Sequence, residues 1–109
     1  ASLMENFDRD SEIVVDSKRG YGDLPLVVLT ATVPQPFPDG TPDAVRNDGP
    51  SFMAAFSRGH DEIAALSSRG VNRPVPGAGH YIQVQQPRVV IEAIQAVIAQ
   101  ARELIDVAP

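Results

Sequence analysis

The chain has 109 residues, enough for one small domain and too few for two. Its hydrophobic fraction of 43% and charged fraction of 21% are those of a soluble globular protein, and its net charge of −5 with scattered Lys and Arg argues against nucleic-acid binding. The absence of cysteine excludes disulfides and thiolate chemistry, and the two histidines are not at metal-ligand spacing, so we expect no metal and no cofactor.

The sequence also lacks the features of membrane and secreted proteins. No run approaches the roughly 20 apolar residues of a membrane helix. The N-terminus has no basic start followed by an apolar stretch, as a signal peptide would. We therefore expect a cytoplasmic protein that does not contact a membrane.

The first predicted element is a helix over residues 2–18. Its apolar side chains recur at the spacings of one helical face: Leu3, Phe7 and Val14. The acidic side chains of this segment are explained as a solvated face. The β-prone run at 13–15 leaves open a break near residue 10.

An unbroken apolar run over residues 26–31 predicts the first strand. Continuous runs rich in β-branched residues are typical of parallel strands buried on both faces, and such a sheet needs helices above and below it. Residues 32–50 contain five prolines and are predicted to form a long irregular loop. Loops of this length in a compact domain are usually functional or mobile.

The second half predicts a helix over 51–66, a short strand over 71–75 and a final helix from Pro87. Gly70 suits a left-handed cap after the first of these helices. His60, on that helix, is expected to be solvated. The final helix carries an apolar stripe: Val90, Ile94, Val97, Ile98, Ala101 and Ile105.

The predicted order is helix, strand, loop, helix, strand, helix, which indicates an α/β fold with parallel strands joined by right-handed crossovers. Two strands are too few for an independent sheet of this type. We therefore expect a partner chain or a second copy to cover the sheet edges.

The stretch from Arg73 to Gln83 carries the candidate chemistry. Its Gly-Ala-Gly turn, residues 77–79, ends at His80. A histidine on a turn above the end of a strand is well placed to move protons, because its unperturbed pKa lies near neutrality. The alternative is a surface-loop histidine without a role, and the local pattern leaves both open.

Three features in this order resemble the C-terminal third of an α/β-hydrolase, in particular the bacterial esterase-like and haloalkane-dehalogenase-like members. Residues 24–31 resemble the penultimate strand of that fold, residues 75–83 its last strand and histidine loop, and residues 86–98 its final helix. On this resemblance residues 1–20 are the end of a cap-like helical segment. Residues 21–109 are the C-terminal strand-helix-strand-helix part of the hydrolase core.

The resemblance implies that His80 is the general base of a catalytic triad acting on an ester, amide or similar small substrate. The acid would precede it, and Asp39 is the favoured candidate in this chain. Asp39 also suits a turn with Gly40, Asp48 suits a helix N-cap, and an acid upstream of this chain is a further alternative. Tyr81 and Phe37 are candidate substrate-binding residues, and packing explains either one as well.

The sequence departs from the family at the nucleophile. It contains no Gly-x-Ser-x-Gly elbow, and the oxyanion-hole donors that accompany the elbow are absent as well. A histidine without these groups cannot run acyl transfer at enzymatic rates. We therefore expect the isolated chain to be inactive, with a serine or a dehalogenase-type aspartate nucleophile encoded upstream. The alternative is a non-catalytic binding or assembly module that pairs through its sheet edges.

Overall fold

A computed structural model describes residues 20–107 of the chain. The elements, in order, are β1 (Leu26–Ala31), α1 (Asp43–Asn47), α2 (Gly49–Ala64), β2 (Gly70–Val75), α3 (Ile82–Gln85) and α4 (Pro87–Val107). The predicted N-terminal helix over 2–18 lies outside the described residues.

The two strands pair in parallel, from Leu26 opposite Gly70 to Ala31 opposite Val75. The mixed α/β class and the parallel pairing predicted from the sequence are thus present. Within residues 20–107 each strand has one edge that no other strand pairs.

Helices lie against both faces of this sheet. Side chains alternate between the faces of a strand, so Thr30 points to one side and Leu29 and Ala31 to the other. On the Thr30 side the sheet meets α2, because Thr30 hydrogen-bonds His60 of that helix. On the other side Leu29 and Ala31 pack with the first turn of α4 against a small cluster: Val75, Ala78 and Ile82. Helices therefore lie against both faces near the carboxyl end of the sheet, but the predicted burial of the strand on both faces is not reached. Thr30 is the one buried residue of β1, and Val71 of β2 is 41% exposed.

The buried core of the described residues is small. Its buried apolar side chains are Ala64, Val75, Ala78, Ile82 and Ala93. Three isoleucines of the predicted α4 stripe, Ile94, Ile98 and Ile105, are at least 45% exposed. The stripe therefore has an apolar face that residues 20–107 leave largely uncovered. None of the helices in this range combines the length and apolarity needed to cross a membrane.

Helical structure begins earlier than the proline pattern indicated. The predicted loop 32–50 contains α1, and α2 starts at Gly49 with Pro50 in its first turn. Proline is tolerated there because the first N–H groups of a helix have no intrahelical partner. The short helix α3 was not anticipated either.

The prediction that Gly70 is a left-handed cap is wrong. The positive-φ glycines are Gly22, Gly40 and Gly77, and Gly70 is instead the first residue of β2. A Cβ at Gly70 would lie 1.7 Å from the carbonyl oxygen of Ala64. Glycine is required here because two backbone segments approach closely, not because of a left-handed conformation.

Candidate functional site

The turn after β2 is hydrogen-bonded to the segment that follows β1. The backbone N–H groups of Thr32 and Val33 both donate to the carbonyl oxygen of Ala78, at 3.0 and 2.9 Å. The Thr32 hydroxyl donates to the carbonyl oxygen of Val75 at 2.7 Å. Gly77 adopts φ +73°, a conformation that glycine adopts without steric cost. These bonds fix the turn at the carboxyl edge of the sheet.

Two glutamines at the end of α3 hold the same turn from its other side. The side-chain oxygen of Gln85 accepts a hydrogen bond from the Gly79 N–H at 2.7 Å. The Gln86 amide donates to the carbonyl oxygen of Pro76 at 2.9 Å. A Cβ at Gly79 would lie 3.3 Å from the Gln85 amide nitrogen, so the small residue permits this close approach. The backbone that carries His80 is therefore held at both ends.

The His80 side chain itself is exposed. Its ring meets the edge of Tyr81, with ring centroids 4.9 Å apart and an interplanar angle of 80°. The hydrogen bonds formed among residues 20–107 do not include either ring nitrogen of His80. The imidazole thus projects from a fixed backbone, and residues 20–107 leave both of its nitrogens without a hydrogen bond.

His80 lines a cavity of about 510 Å³ between the proline-rich loop and the start of α2. Most of its wall is apolar, including Val33, Phe37, Val45, Phe52, Met53 and Phe56. The polar side chains on the wall are Gln35, Asp48 and His80. A cavity of this size, largely apolar with a few polar groups, is typical of small-molecule sites.

The structure brings together Phe37 and His80, two of the residues proposed from the sequence, because both line the cavity. The guanidinium carbon of Arg46 lies 5.9 Å from the centroid of the Phe37 ring, within range of a cation–π contact. Tyr81 contacts the His80 ring but is 56% exposed and is not part of the cavity wall.

Asp39 lies in an exposed turn that Gly40 completes with φ +84°, as the turn alternative expected. The turn is closed by the Thr41 N–H, which donates to the carbonyl oxygen of Pro38 at 3.2 Å. Asp39 does not line the cavity, and no hydrogen bond within residues 20–107 joins it to His80. Its role as the acid stays a prediction.

Asp48 is the carboxylate that shares the cavity wall with His80. It occupies the N-cap position of α2, but its side chain makes no capping hydrogen bond. The predicted N-cap position of Asp48 is therefore confirmed, but its carboxylate does not bond the first turn of the helix.

A polar network that the sequence analysis missed lies beneath the sheet. The Thr30 hydroxyl donates to the Asn72 side-chain oxygen, and the Asn72 amide donates to Asp61 at 2.9 Å. Because the single O–H of Thr30 is used on Asn72, the Nδ1 of His60, 2.8 Å away, must be the donor to Thr30. The His60 ring also packs on Phe56, with centroids 4.3 Å apart. The prediction of a solvated His60 is thus wrong, since it is half-buried and bonded.

One signal for this network was visible in the sequence. Thr30 interrupts an otherwise apolar strand, and the next strand carries Asn72 beside Arg73. Buried polar side chains in strands are usually hydrogen-bonded, so Thr30 required a partner on the helix that covers it.

The described serines offer no nucleophile beside His80. The cavity wall formed by residues 20–107 contains no serine. Ser67 is 4% exposed, and its hydroxyl donates to the carbonyl oxygen of Leu24. Over the same residues no group of three His, Asp or Glu side chains is placed to hold a metal ion.

Comparisons of the chain with protein-family models, curated proteins and solved structures gave no match.

Proposed function

We propose that this chain is the C-terminal portion of a serine-type α/β-hydrolase acting on an ester, amide or similar small substrate, with His80 as its general base. The observation that carries the proposal is the placement of His80. It lies on a fastened turn at the carboxyl edge of a parallel sheet, exposed, and on the wall of a cavity. Ligands of open α/β sheets bind outside the carboxyl ends of the strands.

The state of the imidazole supports this role. A triad histidine needs one nitrogen for the nucleophile and the other for an acid that fixes its tautomer. Among residues 20–107 no group hydrogen-bonds either nitrogen of His80, as this role requires of that part of the chain. His80 would take a proton from the nucleophile and return it to the leaving group.

The nucleophile and the oxyanion-hole donors belong, in this proposal, to sequence upstream of Ala1. The chain has no Gly-x-Ser-x-Gly elbow, and the described cavity wall contains no serine. The acid is Asp39, Asp48 or a carboxylate upstream. Of the two in this chain, Asp48 already shares the wall with His80.

The test compares two lengths of the protein. With p-nitrophenyl acetate, the 109-residue chain is expected to show no burst of p-nitrophenol. A chain extended upstream in the gene through the elbow is expected to show one, and His80→Ala is expected to lower its rate by about 10³-fold or more. If the 109-residue chain showed a burst that His80→Ala abolished, the prediction that this chain is inactive on its own would be wrong. An extended chain that keeps its full rate in His80→Ala would overturn the proposal.

A second candidate, a non-catalytic assembly module, is favoured by the open strand edges and by the exposed isoleucines of α4. Such edges can pair with a second copy or with a partner strand. Size-exclusion chromatography with intact-mass measurement separates the candidates. A stable homodimer without an N-terminal fragment supports the module, whereas a co-purifying fragment that contains the elbow supports the hydrolase.

A further inference from the structure

We propose that the cavity beside His80 binds an uncharged small molecule through an aromatic or branched-alkyl group. Resting on the proposed function, this makes the substrate an apolar ester or amide whose scissile carbonyl faces His80.

The chemistry of the wall selects against charged ligands. No Lys or Arg among residues 20–107 lines the cavity, so the titratable side chains that an anion would meet there are the Asp48 carboxylate and His80. Arg46, whose guanidinium lies over the Phe37 ring, already binds the loop, since its Nε donates to the carbonyl oxygen of Thr41 at 3.1 Å and its Nη2 to that of Pro38 at 3.3 Å.

The aromatic rings are also unsuited to enclosing a cation. The Phe52 and Phe56 rings are 6.3 Å apart and only 21° from parallel, because they lie one turn apart on α2. Both rings belong to one helix and line the same side of the cavity, whereas an aromatic cage surrounds its cation with faces from several directions. An aromatic surface on one side of a cavity suits another ring or a branched alkyl group.

Much of this wall is in contact with water. Phe52 is 68% exposed, and Val45 and Val33 are 48% and 45% exposed. Covering such apolar surface is favourable, and a concave site covers more of a small ligand than a flat one does. The exposed isoleucines of α4 line no part of the cavity, which distinguishes the two apolar surfaces.

The loop that forms the second wall is held in place before any ligand arrives. Prolines restrict the backbone around Phe37, and Arg46 binds two of the loop's carbonyl oxygens. A Cβ at Gly49 would lie 3.6 Å from the Phe37 ring, so that ring already rests against the start of α2. A preformed wall avoids the entropy cost of ordering a loop during binding.

The test uses N-phenyl-1-naphthylamine, an uncharged aromatic dye whose fluorescence rises in apolar sites, with the 109-residue chain. Saturable binding is expected, and Phe52→Ser is expected to weaken it by about tenfold because a large apolar contact is lost. Phe52 is mostly exposed, so this change leaves the core intact. Ile94→Ser is the matched control, since Ile94 is 54% exposed on α4 and outside the cavity, and it is expected to leave the affinity unchanged.

Competition decides the ligand class. Ethyl benzoate is expected to displace the dye, whereas benzoate and benzyltrimethylammonium are expected not to. Non-saturable binding, equal affinity in Phe52→Ser, or displacement by either ion would overturn the inference. This outcome is independent of the proposed function, because a hydrolase with a different pocket would still lose its rate in His80→Ala. Conversely, if His80→Ala left the hydrolysis rate unchanged, dye binding that depends on Phe52 would still support an apolar ligand in the cavity.

Discussion

The two histidines of this chain differ in what holds them in place. His60 is half-buried on α2, hydrogen-bonded to Thr30 at 2.8 Å and packed on Phe56. His80 is exposed on a fastened turn, and its ring contacts Tyr81. In the first case the side chain is fixed by its partners, and in the second only the backbone is fixed.

This difference assigns a structural role to His60 and leaves His80 as the candidate for proton transfer. The His60 network continues through Thr30 and Asn72 to Asp61, so each group has a partner and the helix is tied to both strands. Such a satisfied network stabilises the fold and leaves little capacity for a substrate. His80 has the opposite properties, which are those that a proton-transfer group needs.

The largest effect on stability is expected where the His80 turn enters the core. Ala78 is 0% exposed, and its carbonyl accepts the two bonds from the end of β1. Ala78→Leu is expected to lower the free energy of unfolding by about 1–3 kcal/mol, because extra volume in a packed site displaces its neighbours. Urea titration measures this. Ala99→Leu, at an exposed position of α4, is the control and should cost little. Equal costs would show that the turn is not fastened as described.

Thr30→Val tests whether the hydrogen-bond network around His60 stabilises the fold. Valine keeps the shape but removes the hydroxyl that His60 and Asn72 share, leaving polar groups unpaired beneath the sheet. The expected loss in the free energy of unfolding is about 1–2 kcal/mol. In NMR spectra the His60 ring resonances should shift while those of His80 stay in place. An unchanged urea midpoint would mean that the network contributes nothing to stability.

Gly59→Ala, next to His60, tests whether α2 is a continuous helix at this position. A Cβ at Gly59 meets no atom within 4 Å, so alanine fits without a clash. Because glycine is the weaker helix former, the substitution is expected to stabilise the protein by up to about 1 kcal/mol. A higher urea midpoint with unchanged cooperativity checks this. Destabilisation would argue that the helix is broken at this point.

The sequence predicted those parts of the fold that local pattern controls. The strand at 26–31 and the helix from Pro87 follow from an unbroken apolar run and from a proline before a periodic stripe. The start of α2 was placed too late, because a proline in a first turn looks the same in sequence as a proline in a loop.

The site was less predictable because it depends on contacts between distant segments. His80 was identified from its turn, but its cavity is built from a loop and a helix whose approach no local pattern encodes. The His60 network depends on the strand register, which places Asn72 opposite Val28, two residues before Thr30 on β1. The hydrophobic periodicity and the secondary-structure propensity of one strand do not determine its register with a strand that is distant in sequence.

The smallest effect on stability is expected from His80→Ala. An exposed side chain with no hydrogen bond to residues 20–107 contributes little to folding, so the free energy of unfolding should change by no more than about 0.5 kcal/mol. His60→Gln should cost more, because it disturbs the bond to Thr30. If His80→Ala proved the more destabilising change, the assignment of packing and chemistry to the two histidines would be reversed.

The most direct test of the central claim measures both histidines in one assay. Hydrolysis of p-nitrophenyl acetate would be followed in the chain extended upstream through a nucleophile elbow, below the unfolding temperature of every variant. We predict that His80→Gln lowers kcat by about 10³-fold or more, as loss of a triad base does, while His60→Gln changes kcat by less than about threefold. Equal effects of the two substitutions, or a larger effect at His60, would contradict the assignment of His80 as the general base.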